Sequence, residues 1–236
     1  MNKADNILRH VGVIMDGNRR WAKKNGLKSV LMGHEKGVRK LMELCTWCLE
    51  RSIPYLSVYA FSTENWSRSR TEIEGLFALM ERFFREEVED CIEKGIKIKV
   101  VGDIARMGAK QQELILEAEQ QTKDCDKLTV QIAISYGGKD EIVRAVRKIV
   151  KLSEEGRLQV EDVDEELIEH CLDTNEAPLI DMVVRTGGNH RLSNFFTWQT
   201  AYSEIYFTDT LWPDFTQDEF FRFLRNYEHI SINLGK

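Results

Sequence analysis

No stretch of this chain approaches the roughly 18 apolar residues that a membrane span needs. Its first nine residues, MNKADNILR, hold no continuous apolar run to act as an export signal. The expectation is a cytoplasmic protein. Positive charge is not in excess either: 33 Lys and Arg stand against 39 Asp and Glu, a formal charge of −6. That balance repels a nucleic-acid backbone, so no nucleic-acid partner is expected and only a local basic pocket is left open. Cysteine is scarce and odd in number, five in 236 residues. Without an export signal this points to reduced, buried thiols and no disulfide framework. Cys45 and Cys48 have the C-x-x-C spacing, but they lie in a helical pattern with no second Cys or His pair at zinc-finger distance. They read as small apolar residues facing a core. Internal repeats and low-complexity tracts are absent as well.

What is present describes a globule: 42% hydrophobic and 31% charged residues, in a chain long enough for one large α/β domain. Short apolar runs rich in β-branched residues occur at 11–15, 55–61, 96–101, 128–134 and 182–184, with a weaker one at 205–207. Helical spacing of apolar residues fills 34–51, 71–94, 110–123 and 139–152. The helix from Thr71 is the clearest, with Ile73, Leu76, Phe77, Met80, Phe83 and Phe84 on one face. Thr216-Gln-Asp-Glu219 has capping-box form and opens a last helix to about Tyr227. Residues 153–178 turn acidic and read as a solvated surface excursion. The alternation predicts a single α/β domain over 1–236, with a central, mostly parallel sheet of about six strands flanked by helices.

In such a sheet ligands bind beyond the carboxyl ends of the strands. The first run is followed by Asp16-Gly17-Asn18-Arg19-Arg20-Trp21 and the second by Ser62-Thr63-Glu64-Asn65-Trp66-Ser67-Arg68. Ser135 to Lys139 follows the fourth run, and the fifth leads into Arg185-Thr186-Gly187-Gly188-Asn189-His190-Arg191-Leu192-Ser193. Parallel strands would gather all four junctions on one rim. Arginines, hydroxyls, an asparagine and glycine turns are what a phosphate ester requires. Neither G-x-x-x-x-G-K-[ST] nor a strand-borne G-x-G-x-x-G occurs, so ATP and dinucleotides lose ground. Asp16 is the one carboxylate of its junction and suits Mg²⁺ shared with a diphosphate, with Glu204 as candidate second ligand. Arg185 and Arg191 bracket a Gly-Gly turn, and Ser193 is expected to begin a helix through Trp198. Trp21, Phe61 and Trp66 either pack in the core or add apolar surface beside these groups; in the second case the ligand has a hydrocarbon part, and an isoprenoid diphosphate fits.

The chain resembles the cis-prenyltransferases. The segments that carry the resemblance are MDGNRRWAKKNG from Met15, GHEKG from Gly33, SVYAFSTENWSR from Ser57, ISYGGKDEI from Ile134, VVRTGG from Val183 and HRLSNFFTWQTAYSEIYFTDTLWPDF from His190. It implies a homodimeric, Mg²⁺-dependent α/β enzyme that condenses isopentenyl diphosphate with an allylic diphosphate, farnesyl diphosphate above all. The product would be a long-chain cis-polyprenyl diphosphate such as undecaprenyl diphosphate, a lipid carrier for cell-wall polysaccharides, released by transient membrane contact. By position, Asp16 matches the essential metal-binding aspartate and Asn65 the asparagine proposed for proton removal. Gly17, Asn18, Arg19, Arg20, Trp21, His34 and Arg68 match the allylic site, and Ser62, Thr63, Glu64 and Trp66 the second loop. Arg185, Arg191, Leu192 and Ser193 match the isopentenyl diphosphate site, and Glu204 the second metal position.

Three departures stand out. Val30 replaces an arginine four residues before His34, with Lys28 as a substitute phosphate ligand. Asn189 replaces a common Glu. The end, ISINLGK, lacks the family's Arg-x-Gly, and Asn233 stands where that arginine would. A short-chain or branching synthase, one subunit of a heteromeric enzyme and, more distantly, a nucleotide-binding module are the alternatives.

Overall fold

The computed structural model describes residues 7–230; Asn233 therefore lies outside the described residues. Strands β1 His10–Ile14, β2 Tyr55–Ser62, β3 Ile96–Val101, β4 Leu128–Tyr136, β5 Met182–Arg185 and β6 Glu204–Phe207 form one sheet. Its order is β3-β4-β2-β1-β5-β6, and every neighbouring pair is parallel. The six apolar runs of the sequence are these strands, with ends displaced by at most two residues. The helices are α1 Asn18–Lys24, α2 Leu31–Glu50, α3 Arg70–Glu86, α4 Val88–Lys94, α5 Ala109–Thr122, α6 Gly138–Glu154, α7 Glu165–Cys171 and α8 Gln217–Glu228.

Parallel sheets are covered on both faces, which is why β1, β4 and β5 are buried along almost their whole length, polar residues such as Gln131 and Arg185 included. Period-two geometry sends Val11, Val13, Leu56, Val58, Val130 and Ile132 to one face. There they meet α2, α3, α4, α5 and α8 in the main core. Ile14, Ala133 and Val183 point the other way, onto Phe195 and Phe196. A register shift in β2 between Tyr59 and Phe61 inserts an extra residue, so Ala60 and Phe61 both turn toward the main core. Bulges of this kind re-aim side chains at strand ends.

Four expectations change. The helix over 71–94 is two helices, bent at Glu87, so that Phe83 and Phe84 can face the sheet while Val88 and Cys91 pack beneath it. The acidic excursion is solvated only in part. Residues 153–157 and 159–166 are mostly exposed, but Cys171 and Leu172 pack on Ala145 and Ile149 of α6. Asp173 also takes two 2.6 Å hydrogen bonds from Arg144. At α8 the Thr216 hydroxyl accepts from Glu219 N at 3.3 Å, yet the Glu219 carboxylate does not complete the box. It accepts from the Thr208 and Thr210 hydroxyls at 3.0 and 2.8 Å and ties the helix to the preceding loop. Finally, no α-helix begins at Ser193. Residues 193, 194 and 196 have positive φ (52°, 65° and 42°), so this segment is a tight turn. All five cysteines are free, and burial pushes the Cys45 and Cys48 thiols up from their ordinary value, as expected of core residues. Among the described residues no helix is long and apolar enough to cross a membrane.

Candidate active site

Ile14 at the end of β1 pairs in register with Arg185 at the end of β5, so the chains beyond both strands leave the sheet at one rim. Gly187 has φ 82°, and a Cβ there would stand 2.5 Å from Arg20 Nη2 and 2.9 Å from the Asp16 carbonyl oxygen. Only glycine lets this turn press so closely on Asp16. The Thr186 hydroxyl donates to the Asp16 carbonyl at 2.8 Å and fixes the approach.

Asp16 is the centre of the rim. Its Oδ2 accepts from Asn189 Nδ2 at 2.7 Å and Arg185 Nη2 at 2.9 Å, and its Oδ1 from Arg20 Nη2 at 3.0 Å. Burial acts to raise this carboxyl, but the Asn189 and Arg185 hydrogen bonds and the charge of Arg20 outweigh it and hold Asp16 below its usual range. Arg185, 5% exposed, also donates through Nη1 to the Ser193 hydroxyl at 2.7 Å and to the Arg191 carbonyl, which shapes the 191–193 loop. Its buried Nε has no partner among the described residues. The Arg191 side chain is exposed at the cavity mouth.

A second group assembles from α1, α2 and α3. Gly33 and Gly37 of α2 lie against Asn18, where any Cβ would collide with its carbonyl and side-chain oxygens, so α1 nests directly on α2. This places Asn18 and His34 in one cavity wall. Asn18 Oδ1 and His34 Nε2 are buried with no partner among the described residues. Burial first, and the charge of Arg68 second, lower His34 to about 4, so it is neutral near pH 7. Arg68 donates to Glu72 Oε1 at 3.0 Å, and Arg19 Nε lies 3.7 Å from the same oxygen.

The 62–68 loop is a short 3-10 helix, Thr63–Ser67, in which Asn65 Oδ1 accepts from Ser62 N at 3.2 Å. Glu64 accepts from the Thr63 hydroxyl at 3.2 Å and from Asn194 Nδ2 at 3.1 Å, which joins this loop to the 191–194 turn. Two cavities meet here. One, of 600 Å³, is polar and bounded by Asp16, Ser62, Glu64, Arg185, Arg191 and Ser193. The other, of 170 Å³, is apolar and walled by Leu76, Leu79, Met80, Phe83 and Phe84 of α3 against Ile132 and Ile134 of β4. Met15, Tyr59, Asn65 and Arg68 line both.

Several expected site residues lie elsewhere. Lys28 is exposed and lines neither cavity. Trp21 donates from Nε1 to Asp214 at 2.6 Å, while Phe61 and Trp66 pack with Phe77 inside the core. The apolar wall is the α3 face from Leu76 to Phe84. Leu192 packs on the Phe195 and Phe196 cluster. Glu204 is the clearest correction. It begins β6 in register with Met182, not Arg185, and its N–H donates to the Asp181 carbonyl at 2.9 Å. Within one chain it stands at the opposite end of the sheet from Asp16 and cannot share an ion with it. Residues the sequence reading passed over are Tyr59, Asn194 and Glu72. Only Glu72 left a signal, an acidic residue four positions after Arg68 in the first turn of α3.

Residues 14–235 match the family described as "Putative undecaprenyl diphosphate synthase". The chain belongs to this family of cis-prenyltransferases. It is 43% identical over 236 residues (99% of this chain, 89% of the relative) to a tritrans,polycis-undecaprenyl-diphosphate synthase (geranylgeranyl-diphosphate specific) of Pyrococcus abyssi. It is 42% identical over 211 residues (89% and 88%) to a ditrans,polycis-undecaprenyl-diphosphate synthase ((2E,6E)-farnesyl-diphosphate specific) of Legionella pneumophila. A solved structure of lavandulyl diphosphate synthase from Lavandula x intermedia, in complex with dimethylallyl diphosphate, superimposes with TM-score 0.93 at 34% identity, covering 97% of this chain and 98% of that one. The six-stranded parallel sheet and its helices are thus a prenyltransferase fold.

Family membership implies Mg²⁺, and the donors present are compatible with it. Mg²⁺ keeps several waters and is commonly held by one or two carboxylates plus substrate phosphates. No cluster of three His, Cys, Asp or Glu suited to a metal occurs among the described residues, but Asp16 faces the polar cavity and its Oδ1 has one partner, the half-exposed Arg20.

Proposed function

We propose that this chain condenses isopentenyl diphosphate with an allylic diphosphate, farnesyl diphosphate in the first instance, to make a long-chain cis-polyprenyl diphosphate such as undecaprenyl diphosphate. The observation that carries the reading is the join of the two cavities: a basic, hydroxyl-lined mouth opening at Met15, Tyr59, Asn65 and Arg68 onto an apolar hollow. A diphosphate head with a hydrocarbon tail matches both halves.

In this reading His34, whose buried Nε2 has no partner among the described residues, receives the allylic diphosphate together with Arg68 and Arg19, and neutral His34 donates a hydrogen bond to it. Arg185, Arg191 and Ser193 receive isopentenyl diphosphate. The allylic carbon–oxygen bond breaks, the isopentenyl double bond attacks the developing cation, and a proton leaves, with Asn65 placed at the cavity junction to help remove it. When bound, Mg²⁺ held by Asp16 supplies charge stabilisation to the departing diphosphate. The protein's own work is to position the two substrates, stabilise anionic oxygens with guanidinium groups, and keep water from the cation behind the α3 wall. The enzyme works as a cytoplasmic homodimer in this reading. A second copy is the route by which a Glu204 could approach an Asp16, because within one chain the two stand at opposite rims.

The test is incorporation of labelled isopentenyl diphosphate with farnesyl diphosphate and Mg²⁺, followed by dephosphorylation and chromatography of the product. A ladder of long chains supports the proposal; no incorporation with any allylic primer rejects it. A short or branched product is the second reading, favoured by the small apolar cavity closed by Phe83 and Phe84 and by the likeness to lavandulyl diphosphate synthase. The same chromatogram separates the two.

A further inference from the structure

Among the described residues three hydrogen bonds reach the Asp16 carboxylate, and they are distributed unevenly between its oxygens. Oδ2 accepts two, from Asn189 at 2.7 Å and Arg185 at 2.9 Å, whereas Oδ1 accepts one, from Arg20 at 3.0 Å. The donors differ in permanence as well. The Arg185 side chain is 6% exposed and fixed by Ser193, while the Arg20 side chain is 49% exposed. Asn189 rides on a turn that is itself pinned: Gly187 N donates to the Thr210 carbonyl and Gly188 N to the Thr208 carbonyl, each at 2.8 Å. The hydroxyls of those two threonines are held in turn by Glu219 at the start of α8. The side-chain amide of Asn189 is therefore in place before any ligand arrives. An ionised carboxylate at position 189 could not make this bond, since it has no hydrogen to donate.

We propose that Asn189 is a positioning residue for Asp16. With Arg185 it occupies Oδ2, and it thereby leaves Oδ1 as the oxygen offered to an incoming cation with its diphosphate, Arg20 being the partner displaced. The inference rests on the function proposed above, since it takes Asp16 to be the group that meets the metal. Partners that orient a metal-binding carboxylate typically alter metal affinity by about 10–100-fold when removed.

Three full-length proteins test this: wild type, Asn189→Ala and Asn189→Asp. Binding of Mg²⁺ is measured by calorimetry in the presence of inorganic pyrophosphate, alongside the Mg²⁺ dependence of condensation and the melting temperature. The expected result for Asn189→Ala is apparent Mg²⁺ affinity weakened by about 10–100-fold, with the melting temperature unchanged and most of the turnover recovered at saturating Mg²⁺. Asn189→Asp, equal in shape but unable to donate when ionised, is expected to lose at least as much. Wild-type Mg²⁺ affinity in Asn189→Ala overturns the inference. Tighter Mg²⁺ binding by Asn189→Asp also overturns it, because position 189 would then act as a ligand in its own right. A wild-type protein that binds magnesium pyrophosphate but never condenses the substrates rejects the functional reading instead, and the calorimetric comparison still decides the role of Asn189.

Discussion

Asp16 and Glu141 are both carboxylates that accept three hydrogen bonds, and the protein drives them in opposite directions. Asp16 is bound by two guanidinium groups and one amide, and it is held below the usual carboxylate range. Glu141, 1% exposed, accepts from the Tyr136 hydroxyl at 2.5 Å, Gln199 Nε2 at 3.0 Å and the Asp173 backbone N–H at 2.9 Å. These donors are neutral, burial outweighs them, and its carboxyl is raised. The number of bonds is equal; the charge of the donors and the access to solvent differ. A carboxylate whose cationic partners face a cavity is ready for a ligand, and one sealed among neutral partners is a fastener.

The largest effect expected from this contrast is on Asp16. Asp16→Asn should lower condensation on the order of 10³-fold while the melting temperature stays near that of wild type. A variant that keeps most of its activity would erase the distinction. Glu141→Ala should do the reverse. It leaves the Tyr136 hydroxyl and the Asp173 backbone N–H without this acceptor and Gln199 Nε2 with Thr174 Oγ1 alone, at a cost of about 3 kcal/mol in urea-unfolding stability. Activity per folded molecule should change little, and a large loss of turnover at unchanged stability would mean that Glu141 belongs to the site.

A pH titration sharpens the comparison. His10, 1% exposed, is lowered to about 4 chiefly by burial. His34, in the apolar wall, is lowered to the same value. Between about pH 6.5 and 4 the unfolded chain binds protons at these residues that the native chain does not, so stability is full above pH 6.5 and falls as pH drops through that window. The loss from His10 amounts to about 3 kcal/mol by pH 4. Asp16 contributes with the same sign but lower, its stabilisation fading only as pH falls through the carboxylate range. A urea midpoint that stays flat from pH 7 to 4.5 would contradict both histidine assignments. The smallest effect is one of distribution. Met80→Ala enlarges the apolar cavity and should move the product pattern toward longer chains, read by chromatography of the dephosphorylated products.

Much of the site could be read in the linear chain, for a physical reason. Asp16, Asn65, Arg185 and Arg191 each follow an apolar run, and parallel strands bring their carboxyl ends to one rim whatever the details of packing. The same logic, applied strictly, would have removed Glu204 from the site, because it precedes its run instead of following it. Other features left no local trace. Trp66 stands in a polar loop yet turns inward onto Phe61 and Phe77, while Tyr59, inside a strand, lines both cavities. The bulge in β2 that accompanies this is a property of pairing with β4.

By itself the order of residues determined the alternation of strands and helices and the four polar junctions, since these depend on periodicities of a few residues and on chain connectivity. Tertiary structure alone decided which oxygen of Asp16 is occupied and that Ser193 lies in a left-handed turn and not a helix. Those outcomes rest on contacts between segments as many as 173 residues apart, whose geometry is set by close packing and by the need to partner buried polar groups, not by any pattern within a single segment.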